Sequence, residues 1–440
     1  MLGRMVSWFV IYWWLWLFIL LLFIASQVWK AYIQQYFKKI TSTWMLLELR
    51  FPREITRSPR AMEQVFATVH AIKNSAADQE ERWWDGEVPL WFSFEAVSFG
   101  GEVHFYLFIP AIRRNHIEAV LYANYPDIEI TEIADDYIHR LPPDAKKLYD
   151  AGYRVFGNEL IMSRASQLTK RSTAVYPIRT YIDLEAPAEE KEVDPVASLI
   201  ETLSRIKPQE YLWFQLLVRP DDRTGPAFKK IGEAEIEYIK GKSRSTIDPA
   251  TGLTIFAMPS PAETEAMKAV DRKIAKPAFD AIVRYFYISP QKMFSSSFGR
   301  RSILSAMNQY ATENFNRFGH NFYVWTLAKI WYRPFIFPLH RAAARRRSLY
   351  DRYRKREMWP DSYMEALLKW RPFHWGFRPW NYSNVVLNTE ELATIYHPPT
   401  LLVLTGPLLK RVEARRVGPP AGLPIYGEEG EELPGLKDDE

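Results

Sequence analysis

The chain has 440 residues, of which 48% are hydrophobic and 25% charged, a balance typical of folded and not of disordered proteins. Its 57 basic and 52 acidic side chains nearly balance, so net charge alone does not indicate a nucleic-acid-binding protein. Cysteine is absent, which excludes disulfides, thiolate metal sites and cysteine nucleophiles. At this length we expect two or more domains.

The first feature in chain order is an apolar run near the N-terminus. No charged side chain occurs from Met5 to Ala25, and about 20 helical residues are enough to cross about 30 Å of hydrocarbon. Bulky aromatics continue to Trp29, whereas a cleaved signal peptide has a shorter apolar core. We therefore predict a transmembrane anchor and juxtamembrane helix over residues 1–40. Its expected membrane-spanning aromatic side chains are Trp8, Trp13, Trp14, Trp16, Phe18 and Phe23.

Basic residues are distributed unevenly around this run. Only Arg4 precedes it, and the basic residues that follow it closely are Lys30, Lys38, Lys39, Arg50 and Arg53. The positive-inside rule then places the C-terminal bulk in the cytoplasm. The prediction is a single-pass protein of the cell (inner or cytoplasmic) membrane.

Residues 41–140 have the periodicity of a first α+β unit. A strand, Met45 to Arg53, precedes a helix that Ser58-Pro59 begins, with apolar residues at Met62, Val65, Phe66 and Val69. The remaining elements are two strands joined at Gly100-Gly101, a helix from Arg113 to Tyr125, and a strand from Asp127 to Ile133. This βαββαβ order predicts a ferredoxin-like unit.

Residues 141–320 suggest a second unit of the same kind with a helical insertion. Its predicted elements are a strand Ile178–Leu184, a helix begun by Asp194-Pro195, a strand Tyr211–Val218, helices between Pro226 and Lys276, a strand Phe279–Ile288 and a helix Arg301–Phe315. Asn384 to Leu387 is the candidate last strand. The fold class is therefore α+β, with two ferredoxin-like (βαββαβ) units after the transmembrane helix, and chance agreement of two capped helices is the alternative.

Residues 321–400 form a basic and aromatic region with the return strand. The candidate polyanion-binding residues are Arg341, Arg345, Arg346, Arg347, Arg352, Arg354, Lys355 and Arg356, and aromatic stretches flank them at Trp325 to His340 and Trp370 to Trp380. Arginine interleaved with aromatics suits a membrane surface or nucleic acid. A solvated helix whose aromatics pack on the core is the third possibility. Residues 401–440 are a C-terminal extension whose acidic end we expect to be disordered.

Linear motifs of catalysis are missing from the sequence. Lys240-Gly241-Lys242-Ser243 resembles the end of a P-loop, but the required upstream glycine is Ile236 and the preceding residues have a helical pattern. No two histidines have metalloprotease spacing, and Asp135-Asp136 is typical of a turn. We expect no enzyme activity, no metal and no cofactor.

Two groups of motifs resemble a bacterial family of uncharacterised domains. They are Met45 to Glu54 with Ser58 to Glu63, Trp91 to Glu95 and Gly101 to Tyr106, and, later, Asn388 to Pro399 and Val417 to Pro424. In that family the region often precedes the motor of ATPases similar to type IV secretion and conjugation coupling proteins. The present chain stops about where the ATPase module would begin.

The resemblance implies a membrane-proximal platform that acts with protein partners, among them a separately encoded ATPase. We therefore expect a non-enzymatic, membrane-anchored scaffold or assembly protein of a membrane complex, of the secretion or DNA-transfer type. The alternative is a nucleic-acid-binding adaptor that uses the helix Arg341 to Arg356.

Overall fold

The computed structural model describes most of the chain. The described residues are 11–41, 43–52, 57–73, 76, 78–164, 173–184, 194–220, 224–242, 246–247, 254–255, 259–312, 315–322, 324–327, 337–358, 360 and 385–400. Trp8, the stretch Trp370 to Trp380 and the predicted tail at 401–440 lie outside this part.

The described chain contains both helices and strands. The helices are α1 (Trp13–Thr41), α2 (Arg60–Ala71), α3 (Arg114–Asn124), α4 (Ala145–Asp150), α5 (Tyr181–Leu184), α6 (Ala197–Ser204), α7 (Thr224–Lys242), α8 (Pro261–Ile274), α9 (Ser296–Met307), α10 (Pro338–Arg354) and α11 (Thr389–Ile395). The strands are β1 (Trp44–Arg50), β2 (Phe92–Phe99), β3 (Glu102–Pro110), β4 (Glu129–Glu132), β5 (Tyr153–Arg164), β6 (Tyr211–Pro220), β7 (Thr246–Ile247), β8 (Thr254–Ile255), β9 (Ala278–Pro290), β10 (Asn316–His320) and β11 (Val385–Asn388).

Nine of these strands form one sheet, in the order β10-β5-β9-β6-β2-β3-β1-β4, with β11 pairing a further stretch of β9. Neighbouring strands are antiparallel throughout. The α+β class with an antiparallel sheet is thus confirmed. β7 and β8 form a separate two-stranded hairpin within the insertion between α7 and α8.

The sheet consists of two halves with the same internal order. In the first half the four strands lie as β4-β1-β3-β2, and in the second as β10-β5-β9-β6. Each half therefore places its fourth strand beside its first, and its third between its first and second. The halves meet where β2 pairs with β6, from Phe92 opposite Val218 to Phe99 opposite Tyr211.

One face of the sheet is covered by amphipathic helices. The predicted stripe of α2, with Met62, Val65, Phe66 and Val69, is buried there, and α3, α6, α9 and α11 add further apolar side chains to the same core. Alternate strand residues such as Phe94, Phe105, Phe214 and Tyr285 point into it. This core is continuous across both halves.

The opposite face is covered as well, by the segment 137–150 and by α10. Tyr137 and Leu148 pack with Tyr350 and Tyr353 of α10 against Trp213 and Phe286 of the sheet. The helix α10 therefore lies on the strands as a third layer. Because both sides of the sheet are buried, its central strands carry apolar residues on either side.

The first helices of the two halves begin in the same way. The Ser58 hydroxyl accepts a hydrogen bond from the backbone N–H of Arg60 at 3.2 Å, and the Asp194 carboxylate accepts one from Val196 at 2.9 Å. Asp194 is buried and also binds the His397 ring and both donors of Thr400. Burial alone would raise the pKa of Asp194, but the charge and hydrogen bond of His397 hold it well below its usual range.

One strand prediction for the second half was wrong, whereas the candidate strand Asn384 to Leu387 is found as β11 (Val385–Asn388). Residues 181–184 of the predicted strand Ile178–Leu184 form helix α5, because the Asp183 carboxylate binds the backbone N–H and hydroxyl of Thr180 and closes a local turn. The first strand of this half is instead β5, and its fourth is β10. The candidate return strand near Leu387 is β11, which pairs with β9. The predicted domain boundaries at residues 40, 140, 320 and 400 remain predictions. Strands from both sides of residue 140 belong to the same sheet.

Candidate functional site

The first half of α1 is covered by no part of the described protein. Every residue from 11 to 25 is exposed, and the predicted spanning side chains Trp13, Trp14, Trp16, Phe18 and Phe23 are each between 47% and 62% exposed. Within the described residues, one helix, Trp13–Ile40, is long and apolar enough to cross a membrane. It lies near the N-terminus.

The second half of α1 packs on the protein. Ala31, Ile33 and Gln34 are buried, while Trp29, Tyr32 and Tyr36 remain exposed on the other side. The surface that receives the helix is a single π-helical turn, Glu81–Asp85, with the following Gly86. We call residues 81–86 the docking turn.

Gly86 is the point of closest approach between α1 and the docking turn. A Cβ atom at this position would lie 2.6 Å from the backbone carbon and oxygen of Ile33, and φ is +69°. Backbone atoms cannot move aside as a side chain can, and a positive φ disfavours residues other than glycine. Glycine is therefore required here by both sterics and backbone conformation.

Aromatic side chains complete this junction. The Trp29 indole donates a hydrogen bond to the Trp83 carbonyl at 2.9 Å, and Lys30 lies 5.4 Å from the centre of the Trp83 ring. Trp84 is 71% exposed, and its ring lies edge-on to that of Trp29 at 6.2 Å. We call the exposed group Trp29, Tyr32, Tyr36 and Trp84 the aromatic shelf.

The predicted polyanion-binding residues are divided between the interior and the surface. Arg341, Arg345, Arg352 and Arg356 are buried. Arg346 and Arg354 are half-buried, and Arg347 and Lys355 are exposed. Because an arginine that binds an external polyanion must be accessible, four of the eight residues are not available for that role.

The buried arginines bind groups of the protein itself. Arg345 donates to the carbonyls of Phe322 and Leu327, each at 3.2 Å, and burial, together with the charge of Arg341, lowers its pKa to about 10. Arg352 lies 3.3 Å from the Glu159 carboxylate. The Glu159 carboxylate also pairs at 2.7 Å with the buried guanidinium of Arg284 on the neighbouring strand β9.

Arg356 is the centre of the second buried network. Its guanidinium pairs with Glu95 of β2 at 2.8 Å and also with Asp136, which follows β4. Burial alone would lower the pKa of Arg356, but Glu95 and the neighbouring Tyr137 and Asp136 hold it above its usual range. The Arg356 carbonyl accepts a hydrogen bond from the Trp91 indole at 2.8 Å. This network ties the end of α10 to the first half of the sheet.

The family of the chain follows from a comparison with known protein families. Residues 24–353 match the family described as Domain of unknown function (DUF8128). The chain belongs to this family. The DUF8128 region begins where α1 changes from fully exposed to packed, and it includes the docking turn and most of α10. A search of curated proteins gave no match.

Several residues of these sites were missed from the sequence. Gly86, Trp83 and Trp84 dock α1, and Glu95 and Asp136 neutralise Arg356. The Trp-Trp doublet in a charged segment was an available signal, since exposed tryptophans are uncommon at random surface positions. In the described part of the chain, no group of three or more His, Asp or Glu side chains could hold a metal ion.

Proposed function

We propose that this chain is a non-enzymatic, single-pass membrane protein that scaffolds a membrane complex. The observation that carries the proposal is the continuity of α1, which runs without a break from an exposed apolar half to a half packed on the folded part. Such a helix joins a bilayer to the folded part with no flexible linker between them. The basic residues that follow the apolar run favour a cytoplasmic position for the C-terminal bulk.

Energetics support the membrane as the environment of α1. Leaving one large apolar side chain in water forgoes about 1.5–3 kcal/mol, so ten of them forgo on the order of 20 kcal/mol. This free energy favours transfer of the exposed half of α1 from water into an apolar environment, and a lipid bilayer supplies one on all sides of the helix.

The architecture proposed for the folded part is a pair of ferredoxin-like units. The chain order of each half is βαββαβ when the insertions are set aside, and the shared strand order supports the assignment. This common fold carries many functions, so it brings no activity with it.

The partners proposed for the scaffold include a separately encoded ATPase of a secretion or DNA-transfer type of complex. The resemblance of Trp91 to Glu95 and of Asn388 to Pro399 to domains that precede such motors supports this choice.

The non-enzymatic part of the proposal is supported by two buried carboxylates. Glu95 and Glu159 are each paired with arginine, and neither is exposed as a proton acceptor.

The experiment that tests the proposal follows the full chain in membranes of its host. We expect it in the membrane fraction after alkaline carbonate washing and, in mild detergent, in an assembly of larger protein mass than one chain. A variant that begins at Thr41 should be released from the membrane. A soluble full-length chain, a solitary chain in detergent, or nucleotide turnover by the purified protein would contradict it.

The alternative role as a nucleic-acid adaptor is weakened by the burial of four of its eight basic residues. A gel shift over a range of salt concentrations tests what remains. We expect weak binding that Arg347→Glu changes no more than Lys229→Glu does on the distant α7. Tight, steeply salt-dependent binding that Arg347→Glu abolishes would favour the adaptor.

A further inference from the structure

The position of the aromatic shelf along α1 matches the edge of a bilayer. The apolar run from Trp8 to Ala25 is about 27 Å long as a helix, close to the roughly 30 Å of a hydrocarbon core. Ser26 and Gln27 then supply the first polar side chains after the run. Trp29 follows about 6 Å beyond Ala25, which is within the headgroup layer of such a bilayer.

The docking turn brings a second tryptophan to the same level. The Trp84 ring lies 6.2 Å from that of Trp29 although 55 positions separate the two residues in the sequence. Tyr32 and Tyr36 continue the exposed aromatic surface along α1 on the aqueous side of this layer, about 10 Å and about 16 Å beyond Ala25, with their rings stacked 6.4 Å apart. Tryptophan is enriched in the headgroup layer because one part of its ring is apolar and another donates a hydrogen bond to water or headgroups.

The charge of the docking turn indicates which lipid surface it suits. Around Trp84 the turn carries Glu81, Arg82 and Asp85, and Lys30 of α1 lies beside Trp83, so acidic and basic groups balance at this junction. Without an excess of positive charge, the junction gains nothing from an anionic surface. The contact must therefore depend on aromatic partitioning and not on charge, and zwitterionic headgroups satisfy that condition.

We propose that the Trp29 and Trp84 end of the aromatic shelf lies in the zwitterionic headgroup layer of the bilayer, so that Trp84 is a second membrane contact beside the span. This inference rests on the proposed membrane anchor and adds to it a defined depth and orientation. With two contact points instead of one, the folded part is held against the membrane surface and does not swing about the end of the span.

The absence of cysteine allows each position to be probed by a single introduced thiol. Asp85→Cys tests the shelf, Phe18→Cys the span, and Arg347→Cys on α10 is the aqueous reference. Each full-length variant carries a nitroxide label in phosphatidylcholine nanodiscs, and its relative accessibility to oxygen and to a water-soluble nickel complex is measured. We expect the oxygen-to-nickel ratio at position 85 to be several-fold above that at 347 and below that at 18.

A second substitution tests the role of Trp84 itself. In the Asp85→Cys background, Trp84→Ser should lower the ratio to the level of position 347, whereas Trp84→Phe should retain most of it. Tyr122→Ser removes an exposed aromatic from α3 and should leave the ratio unchanged. A ratio insensitive to Trp84→Ser would overturn the assignment of this contact.

The outcomes separate the shelf from the anchor. A water-like position 85 beside a lipid-like position 18 rejects the shelf and retains the span, and a water-like position 18 rejects both. Adding phosphatidylglycerol should leave the ratio at 85 unchanged. A ratio that rises only with this anionic lipid would reject the zwitterionic headgroup as the partner.

Discussion

The two halves of the sheet have the same strand order but neutralise their buried carboxylates differently. In the second half, Glu159 of β5 pairs with Arg284 on the adjacent strand β9, and Arg352 of α10 adds to that pair. In the first half, Glu95 of β2 pairs with Arg356, 261 positions later in the chain. The second half thus contains the counter-ion of Glu159, whereas Glu95 in the first half depends on the end of α10; Glu48, also in the first half, pairs with Arg50 of its own strand at 2.7 Å. A repeated topology can therefore have unequal stability.

The largest expected effect tests the difference between the counter-ions of Glu95 and Glu159. Arg356→Ala leaves Glu95 buried beside neutral groups, and we expect the free energy of unfolding to fall by about 3–5 kcal/mol. Arg352→Ala leaves Glu159 paired with Arg284, so a fall of about 1.5 kcal/mol is expected. Urea unfolding of the detergent-solubilised chain, followed by tryptophan fluorescence, measures both. Arg347→Ala is the control on the same helix and should change stability by less than about 0.5 kcal/mol. Equal losses for the two buried arginines would refute the asymmetry.

The second prediction compares a glycine from each half. Gly86→Ala introduces positive-φ strain together with a clash against Ile33. We expect the docking of α1 to weaken by about 2–4 kcal/mol, so that the helix detaches. Gly152, before β5, has φ +85°, but a Cβ atom added there would meet no other atom within 4 Å. Gly152→Ala should therefore cost only about 1–2 kcal/mol.

Limited proteolysis between α1 and β1 checks this prediction, since a detached helix leaves the exposed connection at Thr43 free to enter the active site of a protease. Cleavage should accelerate in Gly86→Ala and remain at the parental rate in Gly152→Ala. Parental cleavage in both variants would mean that α1 docks without the close backbone approach.

The third prediction concerns the buried helix start of the second half. Since the pKa of Asp194 is lowered in the folded state, its contribution to stability is present above about pH 4 and is lost as the pH falls below that value. Asp194→Asn should reduce the free energy of unfolding by about 2 kcal/mol at pH 7. In urea titrations from pH 7 to pH 3 the gap between parent and variant should narrow. A gap independent of pH would count against an ionised Asp194.

The smallest effect is expected at the equivalent position of the first half. Ser58 is half-buried and its hydroxyl does not titrate in this range, so Ser58→Ala should lower stability by about 0.5 kcal/mol at every pH. Ser58→Thr keeps an acceptor oxygen and serves as the control. A pH-dependent loss in Ser58→Ala would show that the two helix starts do not differ as described.

The first half of the sheet was predictable from the sequence because its apolar residues recur with clear strand or helix spacing. The strand predicted from Val103 to Ile109 is β3, and the apolar stripe predicted for the first amphipathic helix is the buried face of α2. Short connections kept these elements in order along the chain. From Trp13 to Ala25 the predicted apolar run is likewise the exposed part of α1.

The second half was harder to predict from the sequence because buried polar residues interrupt the apolar spacing of its strands. β5 contains Asn158 and Glu159, which are buried, and a buried charge is recognisable only when its partner Arg284 is known. The same reason explains Arg356, which has the sequence context of a surface arginine but pairs with Glu95 and Asp136. Contacts across more than 200 positions leave no local periodicity to detect.

Because β2 pairs with β6, the two halves form one continuous sheet. The helix α1 leads directly into β1, and β10 lies six strand positions away, about 29 Å at roughly 4.8 Å per strand. A change of roughly 10° in the angle between α1 and β1 would displace β10 by roughly 5 Å. The contact of α1 with the docking turn, which fixes this angle, therefore also fixes the position of the far edge of the sheet relative to α1.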